Sequence, residues 1–343
     1  MCNIAGYVGD KNSTPILLEM IKKQEGLNGG FFTGIAVHDG INLNYRKVQG
    51  DLSILLSTTN AESLVGNTGI AHTRTPSGGD KSWAHPFTTE RNGEVKICYV
   101  ANGAIGSFSD TKEEKNKLAD SMILDGYDIP CKLNLTADNY HKLSTGEAVH
   151  MSDVMCQRIF QYLEKGEKPY NAMAKSFYDL PSEIVGLMLE KNSKDCIYYS
   201  RNNKPMFVGF DDSGAYLASS PTAFPDSVKD YTLLPALSSG VIYKDSFKTY
   251  PYKEFYKEVA PFDNQTIETA KNIILTLLKN KTIIVKNIFH ALLEVLPKDP
   301  LTDRDAITYI ALNELLKEKV ILLTDGRIEI NGLTAPKTYI SLA

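Results

Sequence analysis

The chain predicts an α+β fold: two stacked antiparallel sheets between helix layers, followed by a smaller C-terminal unit. Three observations predict it. Short strand-like runs recur in adjacent blocks through the first 255 residues, with helical segments between the blocks. Beyond about residue 262 the apolar spacing turns helical. A length of 343 residues with 43% hydrophobic content is enough for an ample core and sets a prior of two domains, placed here at 1–255 and 262–343.

The elements follow in order. Residues 4–8 alternate as a buried strand, Ser13-Thr14-Pro15 reads as a helix start, and 16–24 carries helical apolar spacing. Residues 33–37 and 41–48 form a hairpin around Asp39-Gly40. Further strands are expected at 68–73, 95–101, 184–190, 196–200, 206–210, 215–218 and 241–244, with helices at 152–163 and 170–178. The polar stretch 107–117 reads as a loop or exposed helix start, and Pro251, Pro261 and Asp263-Asn264 mark a linker. Helices at 266–279, 282–296 and 302–317 then precede strands at 320–324 and 327–331, joined at Asp325-Gly326. Three helices and a hairpin resemble a winged-helix domain, whose third helix often enters a DNA major groove. Residues 259–343, however, carry eight lysines and two arginines against ten acids. Without a positive surplus to displace counterions, the reading ranks protein contact or homo-oligomer formation ahead of nucleic-acid binding.

Charge and cysteine content narrow the class. Thirty-seven basic residues against 41 acidic ones leave a net charge of −4, with no general pull toward nucleic acid or an anionic membrane. Five cysteines without a CxxC pair point to reduced thiols and a cytoplasmic location. No signal peptide and no transmembrane run is expected. Neither metal-ligand spacing nor a nucleotide-binding loop is present, so no metal and no cofactor is expected.

The chemistry concentrates on Cys2. Removing Met1 would leave a thiol and a free α-amine on one residue, and that amine titrates at about 7.7 to 8.0, which suits a general base for its own nucleophile. Three later segments follow in order: Gly69-Ile70-Ala71-His72-Thr73-Arg74, Ala84-His85-Pro86 and Val100-Ala101-Asn102-Gly103. Over roughly residues 2–255 this set resembles the class II glutamine amidotransferases, in particular the glutaminase half of glucosamine-6-phosphate synthase. The resemblance implies a four-layer αββα Ntn-hydrolase sandwich and a glutaminase that forms a γ-glutamyl thioester on Cys2, releasing glutamate and ammonia.

Hydrolysis of a side-chain amide also needs donors for the tetrahedral oxyanion and anchors for the substrate's α-carboxylate and α-amine. The resemblance assigns Asn102 and Gly103 to the oxyanion, Arg74 and Ser77 to glutamine binding, and Asp153 to the substrate ammonium. Each has a plainer reading. Arg74 could pair with a surface carboxylate, Asn102-Gly103 is also a type I′ turn signal, His72 and His85 suit packing or backbone hydrogen bonds, and Asp153 suits a helix-end charge.

The chain departs from the family at Asn3, where the family has glycine, at Asn28-Gly29-Gly30-Phe31-Phe32, and at Thr75, which replaces a tryptophan. These departures motivate one alternative, a glutamine sensor or adaptor acting through its C-terminal module; a further one, resting on the resemblance to other Ntn hydrolases with an N-terminal cysteine, is an amidase of another amide. The 88 residues after 255 are too few for a sugar-phosphate isomerase, so an ammonia acceptor is expected on a separate enzyme.

Overall fold

The computed structural model of the chain describes residues 2–104, 112–137, 139–252, 259–279, 281–296 and 301–343. Strand β1 (Asn3–Gly9) leads into α1 (Ser13–Asn28), where Asn12 Oδ1 caps the Thr14 N–H at 3.3 Å. β2 (Phe32–His38) and β3 (Leu43–Gln49) form a hairpin at Asp39-Gly40, held by Asp39 Oδ1 accepting the Ile41 and Asn42 N–H groups. α2 (Leu52–Thr58), capped by Asp51, precedes β4 (Thr68–Arg74). β5 (Phe87–Arg91) and β6 (Glu94–Ala104) pair before α3 (Lys112–Leu124) and the short pair β7 (His141–Lys142) and β8 (Ala148–Val149). α4 (Met151–Glu164) and α5 (Pro169–Asp179) follow. The sandwich is completed by β9 (Glu183–Glu190), β10 (Ile197–Arg201), β11 (Phe207–Asp211), β12 (Gly214–Ala218), β13 (Tyr231–Leu233), β14 (Ser238–Ile242) and β15 (Phe247–Pro251).

Two antiparallel sheets result, ordered β13-β11-β12-β1-β4-β2-β3 and β15-β14-β10-β9-β6-β5. Their inner faces meet over Ile4, Val8, Ile70, Val100, Leu187 and Leu217, all essentially buried. Each such side chain contributes about 1.5 to 3 kcal/mol on leaving water. α1 covers the outer face of the first sheet, and α4 and α5 cover that of the second. The four-layer αββα arrangement expected from the sequence is therefore present. The period of two along β1 and β4 sorts their side chains, because antiparallel partners share a face. Ile4 lies opposite His72 and looks into the sandwich, while Asn3 lies opposite Thr73 and looks out toward α1.

β16 (Val259–Ala260), α6 (Asn264–Leu278), α7 (Val285–Val295), β17 (Leu301–Thr302), α8 (Arg304–Lys317), β18 (Ile321–Ile330) and β19 (Leu333–Leu342) make up the C-terminal region. Its hairpin corrects the expected turn. Asp325-Gly326 lies inside β18, and the reversal comes at Asn331-Gly332, both with positive φ. Both dipeptides suit a turn, but pairing is continuous from Ile321 opposite Leu342 to Ile330 opposite Leu333, which only the later turn allows. Asn102-Gly103 is likewise not a turn but the interior of β6, paired with Val185 and Ile184.

The C-terminal region packs against this chain's own sandwich. α1, β19 and α8 share one apolar cluster, and a Cβ on Gly26 would lie 2.3 Å from Thr338 Oγ1, so helix and hairpin touch without room for a side chain. Arg201 and Asp303 form a buried ion pair across the same boundary, beside Lys204 and Asp305 at 2.7 Å. Part of the polar stretch (107–111) and part of the expected linker (253–258) lie outside the described residues; 112–117 form the start of α3. Among the described residues no helix is long and apolar enough to cross a membrane.

Candidate active site

β1 and β4 run side by side in the first sheet, and β6 lies in the second, so Cys2, the His72–Arg74 end of β4 and Asn102-Gly103 converge where the two sheets face each other. The Cys2 backbone nitrogen donates to Asn102 Oδ1 at 3.0 Å. That bond turns the Asn102 carboxamide so that its Nδ2, one amide width away, is buried with no partner. An unsatisfied buried donor costs about 1 to 3 kcal/mol, so one beside a nucleophile points to a missing acceptor. Gly103 follows, exposed on the cavity, and a Cβ there would come within 2.5 Å of the Glu183 carbonyl oxygen; only glycine fits this strand position.

The Cys2 thiol is set for ionisation. Burial pushes its pKa up, but the neighbouring His72 ring and the Thr75 backbone N–H outweigh that and hold it down at about 6. Thr75 Oγ1 lies 3.9 Å from the sulfur. Cys98, Cys131, Cys156 and Cys196 are buried and unpaired, and burial pushes each of their thiols up. Only Cys2 combines partial exposure with a depressed pKa. The His72 ring is held by Ala101 O at 3.0 Å and stacks on His85 with centroids 3.9 Å apart. Burial holds His85 well below the usual histidine range, reinforced by the neighbouring His72 ring, and burial does the same for His150, reinforced by Arg74.

Arg74 is 2% exposed, stacked against Phe32 at 4.5 Å and near Trp83 at 5.8 Å, and its Nη1 donates to Gly78 O at 3.0 Å. Burial lowers its pKa to about 10, and the Cys2 thiolate opposes that shift. Among the described residues no carboxylate pairs with it. Arg74, Ser77, Gly103, Trp83, Tyr140 and Met151 line a cavity of about 400 Å³, and Cys2 contacts Thr75 and Asn102, the chain neighbours of two of these lining residues.

Asp153 does not line that cavity. Its carboxylate accepts the Cys131 N–H and Gln157 Nε2, both at 3.1 Å, and it borders a separate pocket with Lys47 and Gln157. The sequence reading of Asp153 as an ammonium ligand is thus corrected: α4 turns it toward β5, and Met151 and Ser152 face the cavity instead. His72 was read from sequence as suited to packing or a backbone hydrogen bond, and it makes one to Ala101 O, but its place beside the Cys2 thiol was not foreseen. A count of two along β4 could have flagged it, since residues 72 and 74 share a face.

Comparisons with known proteins bear on the fold and on the chain's likeness to amidotransferases. No family model matches the chain. It is similar to glutamine–fructose-6-phosphate aminotransferase [isomerizing] of Helicobacter pylori, 29% identical over 268 residues, covering 77% of this chain and 40% of the relative. The enzyme of the same name from Caldanaerobacter subterraneus is 26% identical, covering 72% of this chain and 36% of its own. The chain thus spans about two fifths of the length of these relatives. Among solved structures, glutamine phosphoribosylpyrophosphate amidotransferase from B. subtilis superposes with a TM-score of 0.60 at 14% identity, over 94% of this chain and 66% of that one. The fold is the one this solved amidotransferase has. A second solved structure, described as the allosteric regulatory enzyme of purine biosynthesis, matches with a TM-score of 0.59 and 14% identity, over 82% of this chain and 59% of that one.

Proposed function

We propose that the chain is a glutamine-hydrolysing amidotransferase domain that uses Cys2 as its nucleophile once Met1 is removed. The thiolate attacks the side-chain carbonyl carbon of glutamine and forms an S–C bond. The tetrahedral oxyanion takes hydrogen bonds from Asn102 Nδ2 and the Gly103 N–H. The freed α-amine of Cys2, seated at Asn102 Oδ1, carries a proton to the departing nitrogen, the C–N bond breaks, and ammonia leaves. Water then cleaves the γ-glutamyl thioester and regenerates the thiol with release of glutamate. Arg74 holds the substrate α-carboxylate as a bidentate fork, with Ser77 beside it. Ammonia passes to a separate acceptor enzyme or to water.

The observation that carries the reading is the Asn102 carboxamide, whose Oδ1 accepts the Cys2 N–H while its own Nδ2 stays buried and unpartnered. Incubation with glutamine tests it: equimolar glutamate and ammonia are expected, and neither from Cys2→Ala. Release that is absent from the parent protein would end the proposal.

A second reading, hydrolysis of another carboxylate-bearing amide, has one observation in its favour: no acidic residue is among the described residues lining the Arg74 cavity. Comparing glutamine with its des-amino analogue separates the two, since equal kcat/KM for both would show that no α-ammonium is recognised. The C-terminal region is read as a winged-helix-like domain at 262–343, with Ile283 bridging Ile340 between α6 and α7. Its third helix, α8, buries Ala306, Ile307, Tyr309, Ala311 and Leu312, so the face that would enter a DNA groove is already occupied. This supports a role without nucleic acid.

A further inference from the structure

We infer that Tyr309, on α8 of the C-terminal region, is a positioning residue for the nucleophile, acting through the side chain of Asn3. The inference rests on Cys2 being the nucleophile proposed above. Asn3 follows Cys2 directly, is fully buried, and points away from the reacting face toward α1. Its Nδ2 donates to Gln24 O at 2.7 Å and to Asn28 O at 3.1 Å, while its Oδ1 accepts from the Tyr309 hydroxyl at 3.3 Å. The same hydroxyl accepts Asn28 Nδ2 at 2.9 Å. Gln24 closes the set by donating to Ile4 O at 3.0 Å. The first peptide units of β1 are thus tied to the end of α1 through a ring of amide groups, and one phenol links two of them.

Only a hydroxyl completes this ring, because it must donate to one carboxamide and accept from the other. The tyrosine is delivered from a helix whose place is set independently. The buried Arg201–Asp303 pair and the Lys204–Asp305 pair anchor its start, and Asn313 Nδ2 bonds Tyr231 OH at 3.1 Å near its end. Asn3 and Asn28 are both positions where the chain departs from the amidotransferase pattern, and both departures contact Tyr309. The side chain of Asn3 therefore does not crowd the thiol. It makes the start of the nucleophile strand depend on the C-terminal region, and with it the placing of the sulfur at His72 and of the nitrogen at Asn102.

Tyr309→Phe separates this role from packing, because the ring keeps its edge contact with Phe289 at 5.8 Å and loses only the hydroxyl. The test compares the full-length protein with Tyr309→Phe, Asn3→Ala and the double variant. It reads kcat and KM for glutamine, thermal midpoints, and the pH profile of Cys2 alkylation by iodoacetamide followed on the N-terminal peptide. Expected for Tyr309→Phe are a kcat lower by about fivefold, from loss of the hydroxyl's two bonds to Asn3 and Asn28, of which only the first bears directly on β1, with KM within about twofold and a displaced alkylation profile. The double variant should have a kcat no lower than that of Asn3→Ala, since both of the hydroxyl's bonds, to Asn3 and to Asn28, reach β1 only through the Asn3 side chain. A Tyr309→Phe protein with unchanged kcat and a superimposable profile, whatever its thermal midpoint, overturns the inference. If Tyr309→Phe does not fold, Asn3→Ala carries the same test with the same expected split. If no variant and no parent protein hydrolyses glutamine, the catalytic reading fails, while the alkylation profiles still decide whether Tyr309 positions Cys2.

Discussion

His72 gives the most quantitative test of the site. His72→Phe keeps an aromatic ring against His85 but removes the group that holds the Cys2 thiol down at about 6 against the upward push of burial. Without that ring, the thiol should return at least to its ordinary value of about 8.5. At pH 7 the thiolate fraction would then fall from about nine tenths to about 3%, a loss of about thirtyfold. The rate at one pH would understate this, because a thiolate of higher pKa is more nucleophilic; with a Brønsted slope of about 0.4 to 0.5, about tenfold is recovered. The midpoint of the pH profile is therefore the quantity to measure. Iodoacetamide modification of Cys2, followed by peptide mass spectrometry from pH 4.5 to 10, should have its midpoint near 6 in the parent protein. In His72→Phe it should move to about 8.5 or above. Coincident midpoints in the two proteins would refute the assignment of His72 to the thiol.

Other variants probe the remaining groups. Asn102→Ala should lower kcat by about a hundredfold to a thousandfold with little change in KM, measured by steady-state glutaminase assay, because it removes an oxyanion donor. Arg74→Lys should raise KM for glutamine by about tenfold to a hundredfold, since one ammonium cannot replace the bidentate fork; the same assay reads it. Glu25 offers a pH test remote from catalysis. Its carboxyl accepts the Leu52 N–H at 3.0 Å, yet burial, with Asp51 adding to it, raises its pKa to about 7. The folded state thus keeps a proton that the unfolded chain gives up near 4.3, so this stabilisation is complete below about pH 4 and is lost as pH rises through 7. It amounts to about 4 kcal/mol, and Glu25→Gln should flatten the dependence of denaturation free energy on pH between about 4 and 7. An unaltered slope in that variant would exclude Glu25 as its source.

The layered sandwich was legible because its signals are local. Alternation within β1, β4, β6 and β9, with Asp39-Gly40 between β2 and β3, requires only near neighbours in sequence. The hairpin turn was misread because Asp325-Gly326 and Asn331-Gly332 are equivalent locally, and only the pairing of β18 with β19 across ten positions distinguishes them. Asp153 was misassigned because motif position does not reveal rotation about a helix axis: one residue of α4 is about 100° of turn, enough to carry a carboxylate from one pocket to another. The ring joining Asn3, Asn28 and Tyr309 spans 306 residues and has no periodic signature at all. Asn3 reads from sequence as an intrusion, whereas in the fold its polar groups are all satisfied on the face away from the thiol.

The central claim is that Cys2, with its own amine freed, attacks a glutamine side chain held by Arg74. It is tested most directly by exposing the purified protein to an electrophilic glutamine analogue and measuring intact and N-terminal peptide masses. The account predicts a chain beginning at Cys2, one added label on that residue, protection by glutamine, and no label in Cys2→Ala. A protein that retains Met1 and takes up no label, or a Cys2→Ala protein that is labelled as fully as its parent, would contradict it.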